Sequence, residues 1–430
     1  MERRAKLYYH WVVNAQIRGR SLTHMDYKWL PNPLARLLLP LRDSFSKPRW
    51  GNFLTMIMGI LLTQRISYLS TIAVTAHRKK GHRTSLGRFL SWKGFDSAAI
   101  LKRLFTSVLA HILCLIGKVK EMRIFIAIDS TIRERASVKV VGSQKVKLSS
   151  GAFGAGQILM VAVIRIGPFT LPFWVEPVLN KHWAKVLKTS RKSQIQIAEE
   201  IIRQFQAPLG WEVVVLFDSF FGANKVLNAC EDRDFIFVTN LKANRKVRAH
   251  RPLRQVGGYA TNVISHSHEA VKIDGKTFLA VKRDSFIPGV GRVRLIFSRK
   301  PGHKRVYHLA TNALTLSMKE IIGLYLNRWS IECLFKDVKH YLGMGDYPAR
   351  TLEGATNHMR IVFMAHLLLT FLRTMQMKKG KIDMKKASSP AEIRSDLRTR
   401  FQAYHIKRTL RRKKMPANID QIMCLLNSSA

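Results

Sequence analysis

Acidic residues are scarce in this chain. Its 430 residues include 27 Asp and Glu against 73 Lys and Arg, a formal net charge of +46. So one-sided a charge points to a polyanionic partner, nucleic acid before a membrane surface. Cysteine is scarce too. Cys114, Cys230, Cys333 and Cys424 lie far apart with no paired spacing. They offer neither a zinc site nor a disulfide framework, and a reducing cytoplasm is the expected compartment. Near the C-terminus the longest apolar run, residues 361–372, is interrupted by His366 and is too short to span a bilayer. Residues 1–6 have no apolar core behind them, so no signal peptide is expected. Internal repeats and a Gly-x-Ser-x-Gly nucleophile motif are missing as well. What is present is a hydrophobic fraction of 47%, too high for a disordered basic tail. The length allows two or three domains.

Residues 1–120 hold 21 Lys and Arg but only four acids, Glu2, Asp26, Asp43 and Asp96. Prolines punctuate the first 48 residues. Helices are expected over 53–62, 66–76 and 85–91, and a longer one after an Asp96 cap. Around the basic turn 78–83 these helices form either a DNA reader of helix-turn-helix type or a plain bundle, and the charge favours DNA. The pattern then changes. Residues 123–129 form a nearly continuous apolar run ending in Asp129, as a buried central strand would. Strands over 158–166 and 169–175 flank Gly167-Pro168, a hairpin signal. A helix over 193–205 leads to a second β-branched run, 211–218, ending in Asp218. A helix over 222–230 and a strand over 235–238 follow. Residues 240–311 are basic, turn-rich and β-like, with strand pieces expected at 262–266, 276–281 and 293–297. A helix over 357–372 precedes a Lys/Arg-rich stretch, 378–414, read as either a solvated tail or a phosphate-gripping one.

Residues 325–339 organise the rest. Ser317 and Glu320 form a capping box ahead of an apolar periodic run. On one helix Tyr325, Arg328, Glu332 and Lys339 fall within an arc of roughly 60°, with Lys336 near the same edge. Basic groups beside one acid suit a polyanion next to a metal ligand. They equally describe a solvated helix face with an incidental ion pair.

The spacing Tyr325, Arg328, Glu332, Lys339 resembles, without a gap, the signature of a large group of bacterial insertion-sequence DDE transposases. The resemblance implies an α/β fold: an RNase H-like mixed sheet flanked by helices, interrupted by a β-rich insertion and preceded by an all-helical N-terminal domain. It implies that Asp129, Asp218 and Glu332 are catalytic and hold two Mg²⁺ ions, or Mn²⁺ in their place. Hard oxygen ligands converging on one point suit such ions. It further implies that Tyr325, Arg328, Lys336 and Lys339 contact DNA phosphates. The partners would be double-stranded DNA, as inverted-repeat ends and target, with a homodimer assembled on the DNA and no membrane. The location would be cytoplasmic, at the nucleoid. The implied division is 1–120 helical and DNA-binding, 121–239 and 312–375 catalytic, 240–311 inserted, and 376–430 a basic tail. Some relatives stack a flipped base on a Trp of the insertion. No Trp occurs in the insertion; Tyr259 or Phe278 would be its substitute, and ordinary core is the favoured reading of either. Two rivals remain: an RNase H-like nuclease or resolvase that cuts without joining, and a non-catalytic DNA-binding derivative. His266 and His268 lack a third metal ligand, and residues 151–156 are Gly-rich but precede a strand, a poor phosphate cradle.

Overall fold

The computed structural model describes residues 31–63, 69, 72, 83–116, 123–148, 150–208, 210–248, 252–347, 349, 351–377 and 388–412. The chain divides into two compact units, residues 119–336 and residues 1–118 with 337–430.

The helical unit begins with α1 (Asn32–Leu38), a 3₁₀ turn (Leu39–Ser44), α2 (Lys47–Leu62), α3 (Arg83–Leu90) and α4 (Ser97–Ile116). Pro48 sits in the first turn of α2, where no backbone N–H is needed. Every residue of α2 from Asn52 to Leu62 is buried, which makes it a central helix. Asp96 caps α4 as expected, its Oδ1 accepting the Ala99 N–H at 2.9 Å. By length and composition alone α4 could cross a membrane. Its Ile100, Leu104, Val108, Ile112 and Leu115 form a buried stripe at helical spacing. Apart from Leu69 and Ile72, both buried, the helix expected over 66–76 and most of the basic turn after it lie outside the described residues.

The second unit opens with β1 (Arg123–Arg135), β2 (Gln144–Lys147), β3 (Phe153–Ile166), β4 (Phe169–Val178), α5 (Lys181–Val186), α6 (Gln194–Gln204), β5 (Glu212–Phe217), α7 (Asn224–Glu231) and β6 (Ile236–Asn240). Across the sheet the order is β4-β3-β1-β5-β6, the first two pairings antiparallel and the last two parallel. That order and those directions are those of the RNase H-like fold. Gly167 turns the β3–β4 hairpin at φ 53°, a left-handed conformation glycine enters freely. The centre of β3, Leu159 to Ile164, is buried on both faces, and a Ser193–Gln196 capping box starts α6.

The insertion continues this sheet. It holds β7 (Lys246–Arg248), β8 (Leu253–Gln255), α8 (Val256–His266), β9 (Glu269–Ile273), β10 (Lys276–Ile287), β11 (Gly291–Arg299) and β12 (Tyr307–Thr311). Because β12 returns antiparallel beside β6, the sheet runs on as β6-β12-β11-β10-β7-β8, with β9 on β10. Two asparagines fasten the return. Asn312 Oδ1 accepts the Phe237 N–H at 2.9 Å while its Nδ2 donates to the Phe235 carbonyl at 3.0 Å. Asn240 Oδ1 accepts the His308 N–H at 2.8 Å. The strand expected at 262–266 is instead the end of α8. Val256, Ala260 and Ile264, four residues apart, bury one helical face, and that packing overrides the local β pattern. His266 lies at its end, and the ring nitrogens of His266 and His268 sit against the carbonyls of Asn262 and Ile264. Tyr259 packs edge-on to Phe297, and Phe278 is core.

The helix expected to carry residues 325–339 is two helices, α9 (Met318–Leu326) and α10 (Trp329–His340). The Asn327 Nδ2 donates to the carbonyls of Gly323 (3.0 Å) and Leu324 (3.3 Å), capping α9 from its own end. The N–H groups of Asn327, Arg328, Ser330 and Ile331 each bond three residues back, tightening the junction. Met318, Ile321, Ile322 and Leu324 of α9 pack on Val214, Leu216, Val238, Ile296 and Leu309, where the RNase H-like strands meet those of the insertion.

Residues after 337 return to the helical unit, with α11 (Leu352–Thr374) and α12 (Pro390–Arg412). α11 packs against α2, α3, α4 and α12 and is buried nearly all round. Over 390–412 the basic stretch is a packed helix rather than a solvated tail. Ile393, Leu397 and Phe401 of α12 are buried, and Arg394 reaches the C-terminus of α2.

Candidate active site

β1 and β5 run parallel, with Ala127 opposite Leu216. Two residues further along the chain from each of these stand Asp129 and Asp218. β5 stops at Phe217, so Asp218 opens a turn: its Oδ1 accepts the Phe220 N–H at 2.9 Å, and Thr239 Oγ1 donates to its backbone carbonyl at 3.2 Å. β1 does not stop at Asp129, contrary to the reading of that residue as a strand end. It continues to Arg135 beside β3, with Asp129 opposite Val161. Asp129 therefore lies where β1 parts from β5 but keeps its antiparallel neighbour. In such sheets the crevice at the carboxyl ends of parallel strands is the usual ligand site.

Glu332 approaches from the first turn of α10, and Arg328, in the tight α9–α10 junction, bridges the carboxylates. Its Nη1 is 3.5 Å from Asp129 Oδ2, and its Nη2 donates to Glu332 Oε1. The Tyr325 ring centroid is 5.7 Å from the guanidinium carbon. Burial pushes the Asp129 carboxyl up to about 6, and the charge of Asp218 adds to this. The Ser130 N–H and Arg328 offset it in part. For Arg328 burial opposes the charge, but Tyr325, Glu332 and Asp129 outweigh it and the pKa rises. Burial raises the Tyr325 phenol.

The structure thus brings Asp129, Asp218, Arg328, Glu332 and Tyr325 to one place. Among the described residues no three carboxylate, His or Cys groups are close enough to hold a metal ion as they stand. The donor set still fits a divalent cation. A half-buried carboxylate crowded by two others, with a guanidinium drawn between two of them, is an arrangement suited to positive charge. Lys336 is exposed on α10, and Lys339 is exposed near its end, beyond residue 336 where this unit closes. Two aromatic residues escaped the sequence reading. Trp329, adjacent to Arg328, is 63% exposed, and Phe220, two residues past Asp218, is 44% exposed. The available signal was an aromatic residue next to a site residue, outside the apolar period.

A sheet of this order with acidic groups at the carboxyl ends of its parallel strands defines an RNase H-like protein. The family model described as DDE superfamily endonuclease matches residues 40–261, more than half of the chain, and that described as Transposase DDE domain matches residues 182–368. The chain belongs to the DDE superfamily endonucleases, and its residues 182–368 are similar to the transposase DDE domain. Asp129 lies in the first matched span, Glu332 in the second and Asp218 in both. No curated protein matches the sequence.

Proposed function

We propose that this protein cuts DNA at the ends of an insertion sequence and joins those ends to target DNA, with Asp129, Asp218 and Glu332 as its catalytic carboxylates. The observation that carries the reading is that Asp218 and Glu332 both crowd Asp129, with the Arg328 guanidinium between Asp129 and Glu332. The three carboxylates would hold two Mg²⁺ ions, or Mn²⁺, which when bound activate the attacking oxygen and stabilise the leaving oxygen of phosphoryl transfer.

The other residues bind and orient. Arg328 offers a planar fork that grips a phosphate in two places, a geometry lysine cannot reproduce. Tyr325 backs that fork, and Lys336 and Lys339 add point charges to the phosphate path. The helical unit, with its excess of Lys and Arg, grips duplex DNA near the ends. The protein acts as a homodimer on that DNA, in the cytoplasm.

The test is an assay of cleavage and joining on plasmids carrying the DNA that flanks the gene. Wild type releases the segment and joins it elsewhere in the presence of Mg²⁺. Asp129→Asn, Asp218→Asn and Glu332→Gln bind the ends but do neither. Cutting without joining by the wild type would establish the nuclease or resolvase alternative. Full activity in any one variant would remove that residue from the site.

A further inference from the structure

β2 and β3 form a hairpin whose two faces differ. Residues 148–152 make its turn, where the Leu148 N–H donates to the Ala152 carbonyl at 2.8 Å and the Gly151 N–H to the Leu148 carbonyl at 3.0 Å. On one face Val146 is buried, and a side chain at Gly156 would meet Ile132 at 2.7 Å and Val146 at 2.8 Å. One at Gly154 would meet Leu148 at 2.6 Å. These two glycines let the apolar side chains close over the strand, so the hairpin is fastened to β1.

The other face is turned to solvent. There Lys147 stands opposite Phe153 and Lys145 opposite Ala155, and cross-strand partners point the same way. At 69% Phe153 is the most exposed large apolar side chain among the described residues, and the Lys145 Nζ lies 5.4 Å from its ring centroid. No acid occurs in residues 144–155. This face also leads to the carboxylates. Val161, the partner of Asp129, is eight residues along β3 from Phe153, an even number that keeps both on one side of the sheet. At 3.3 Å per residue they lie roughly 26 Å apart, less than the ~34 Å of one duplex turn.

An apolar wedge flanked by lysines is a device for kinking duplex DNA, the ring entering a base step and the ammonium groups holding phosphates. The groups that read base edges are engaged elsewhere. Gln144 Nε2 donates to the Val178 carbonyl at 3.0 Å, Gln157 Nε2 to the Val141 carbonyl at 2.6 Å, and Arg135 Nε to Gln157 Oε1 at 3.1 Å. What remains exposed on this face carries little sequence information. That suits a target of any sequence better than inverted-repeat ends of one sequence.

We propose that this hairpin seats the target duplex, with Phe153 as the wedge that kinks it and Lys145 and Lys147 on the flanking phosphates. The inference rests on the proposed joining to target DNA, but its first readouts are bending and contact.

The experiment uses the full chain and a short duplex of mixed sequence, unrelated to the ends of the element, with a dye at each terminus. Wild-type binding should draw the dyes together by a bend within about 20–90°. Phe153→Ser, a surface substitution that should leave the melting temperature unchanged, loses the bend. Lys145→Ala with Lys147→Ala lowers the slope of log affinity against log salt by about 2, the loss of two phosphate contacts. Phe153→Cys forms a disulfide at residue 153 with a thiol tethered in the minor groove of the unrelated duplex, but not with one tethered in a pre-cut end. In Phe153→Ser, cutting at the ends continues while joining falls about tenfold or more. No bend in the wild type, an unchanged bend in Phe153→Ser, or a bond at residue 153 from the end duplex alone would overturn the target seat and leave the cutting function standing. A wild-type protein that cuts but never joins would overturn the joining function and the seat with it.

Discussion

Two arginines, half-buried Arg328 in the sheet unit and buried Arg394 in the helical one, show how differently one basic chain uses its positive charge. In the sheet unit Arg328 lies among carboxylates, which raise its pKa against the effect of burial. In the helical unit Arg394 donates to the carbonyls of Leu61 and Thr63, and Arg398 to that of Leu62, closing the C-terminus of α2. No carboxylate acts on Arg394, and burial lowers it to about 10. Helix C-termini carry partial negative charge and unpaired carbonyls, so an arginine there is a structural cap. A guanidinium between two carboxylates is instead balanced against groups that could receive another cation. Net charge alone does not separate the two uses. The partner atoms do.

The comparison is sharpened by substitutions on each side. The largest effect is expected in the sheet unit. Glu332→Gln or Asp218→Asn should slow Mg²⁺-dependent cleavage by about 10²–10³-fold or more, the scale of losing one element of transition-state electrostatics. Single-turnover rates on pre-bound ends measure it, and a loss below tenfold would separate that residue from the chemistry. Next comes the helical unit. Arg394→Ala should destabilise the protein by about 2–3 kcal/mol, because charge-assisted bonds are lost and buried carbonyls left unpaired. Denaturant titration gives the value, and specific activity below the transition should stay near wild type. An unchanged midpoint would mean the cap is ornamental.

Arg328→Ala should weaken the cleaved-end complex by about 1.5–3 kcal/mol, with Arg328→Lys recovering only part. Equilibrium binding of a pre-cut end decides it, and wild-type affinity in Arg328→Ala would leave that arginine as an internal ion pair only. The smallest effect has the opposite sign. Asp129 is raised to about 6 in the folded, metal-free protein, above its unfolded value near 4. The folded state therefore binds the extra proton, and wild-type stability falls as pH rises through that window. Asp129→Asn removes the charge and should stabilise the metal-free protein by about 1–3 kcal/mol at neutral pH, a gain that vanishes near pH 4. Melting curves in chelator at the two pH values would show it. A destabilised variant at neutral pH would contradict the crowding of the three carboxylates.

Much of the RNase H-like sheet was legible because a buried parallel strand writes itself as an unbroken apolar run. The runs before Asp129 and Asp218 gave β1 and β5, and Gly167-Pro168 gave the hairpin. The continuation of β1 was hidden because Ser130, Thr131 and Arg133 end the apolar run while the strand keeps its partner β3. The break in the helix carrying residues 325–339 depends on the Asn327 side chain turning back to Gly323 and Leu324, an interaction that periodicity cannot show. α8 was concealed by a local β pattern, and α12 by its charge, which masked the stripe Ile393, Leu397, Phe401. The position of Arg328 between Asp129 and Glu332 joins residues distant in sequence, so only the fold reveals it.

The most direct test of the central claim loads the protein with Fe²⁺ in place of Mg²⁺, on a pre-cut DNA end, and maps the backbone breaks made by locally generated hydroxyl radicals. If Asp129, Asp218 and Glu332 hold the ions, breaks cluster beside those three positions and disappear in Glu332→Gln. Breaks confined to other parts of the chain, or an unchanged pattern in Glu332→Gln, would contradict the assignment.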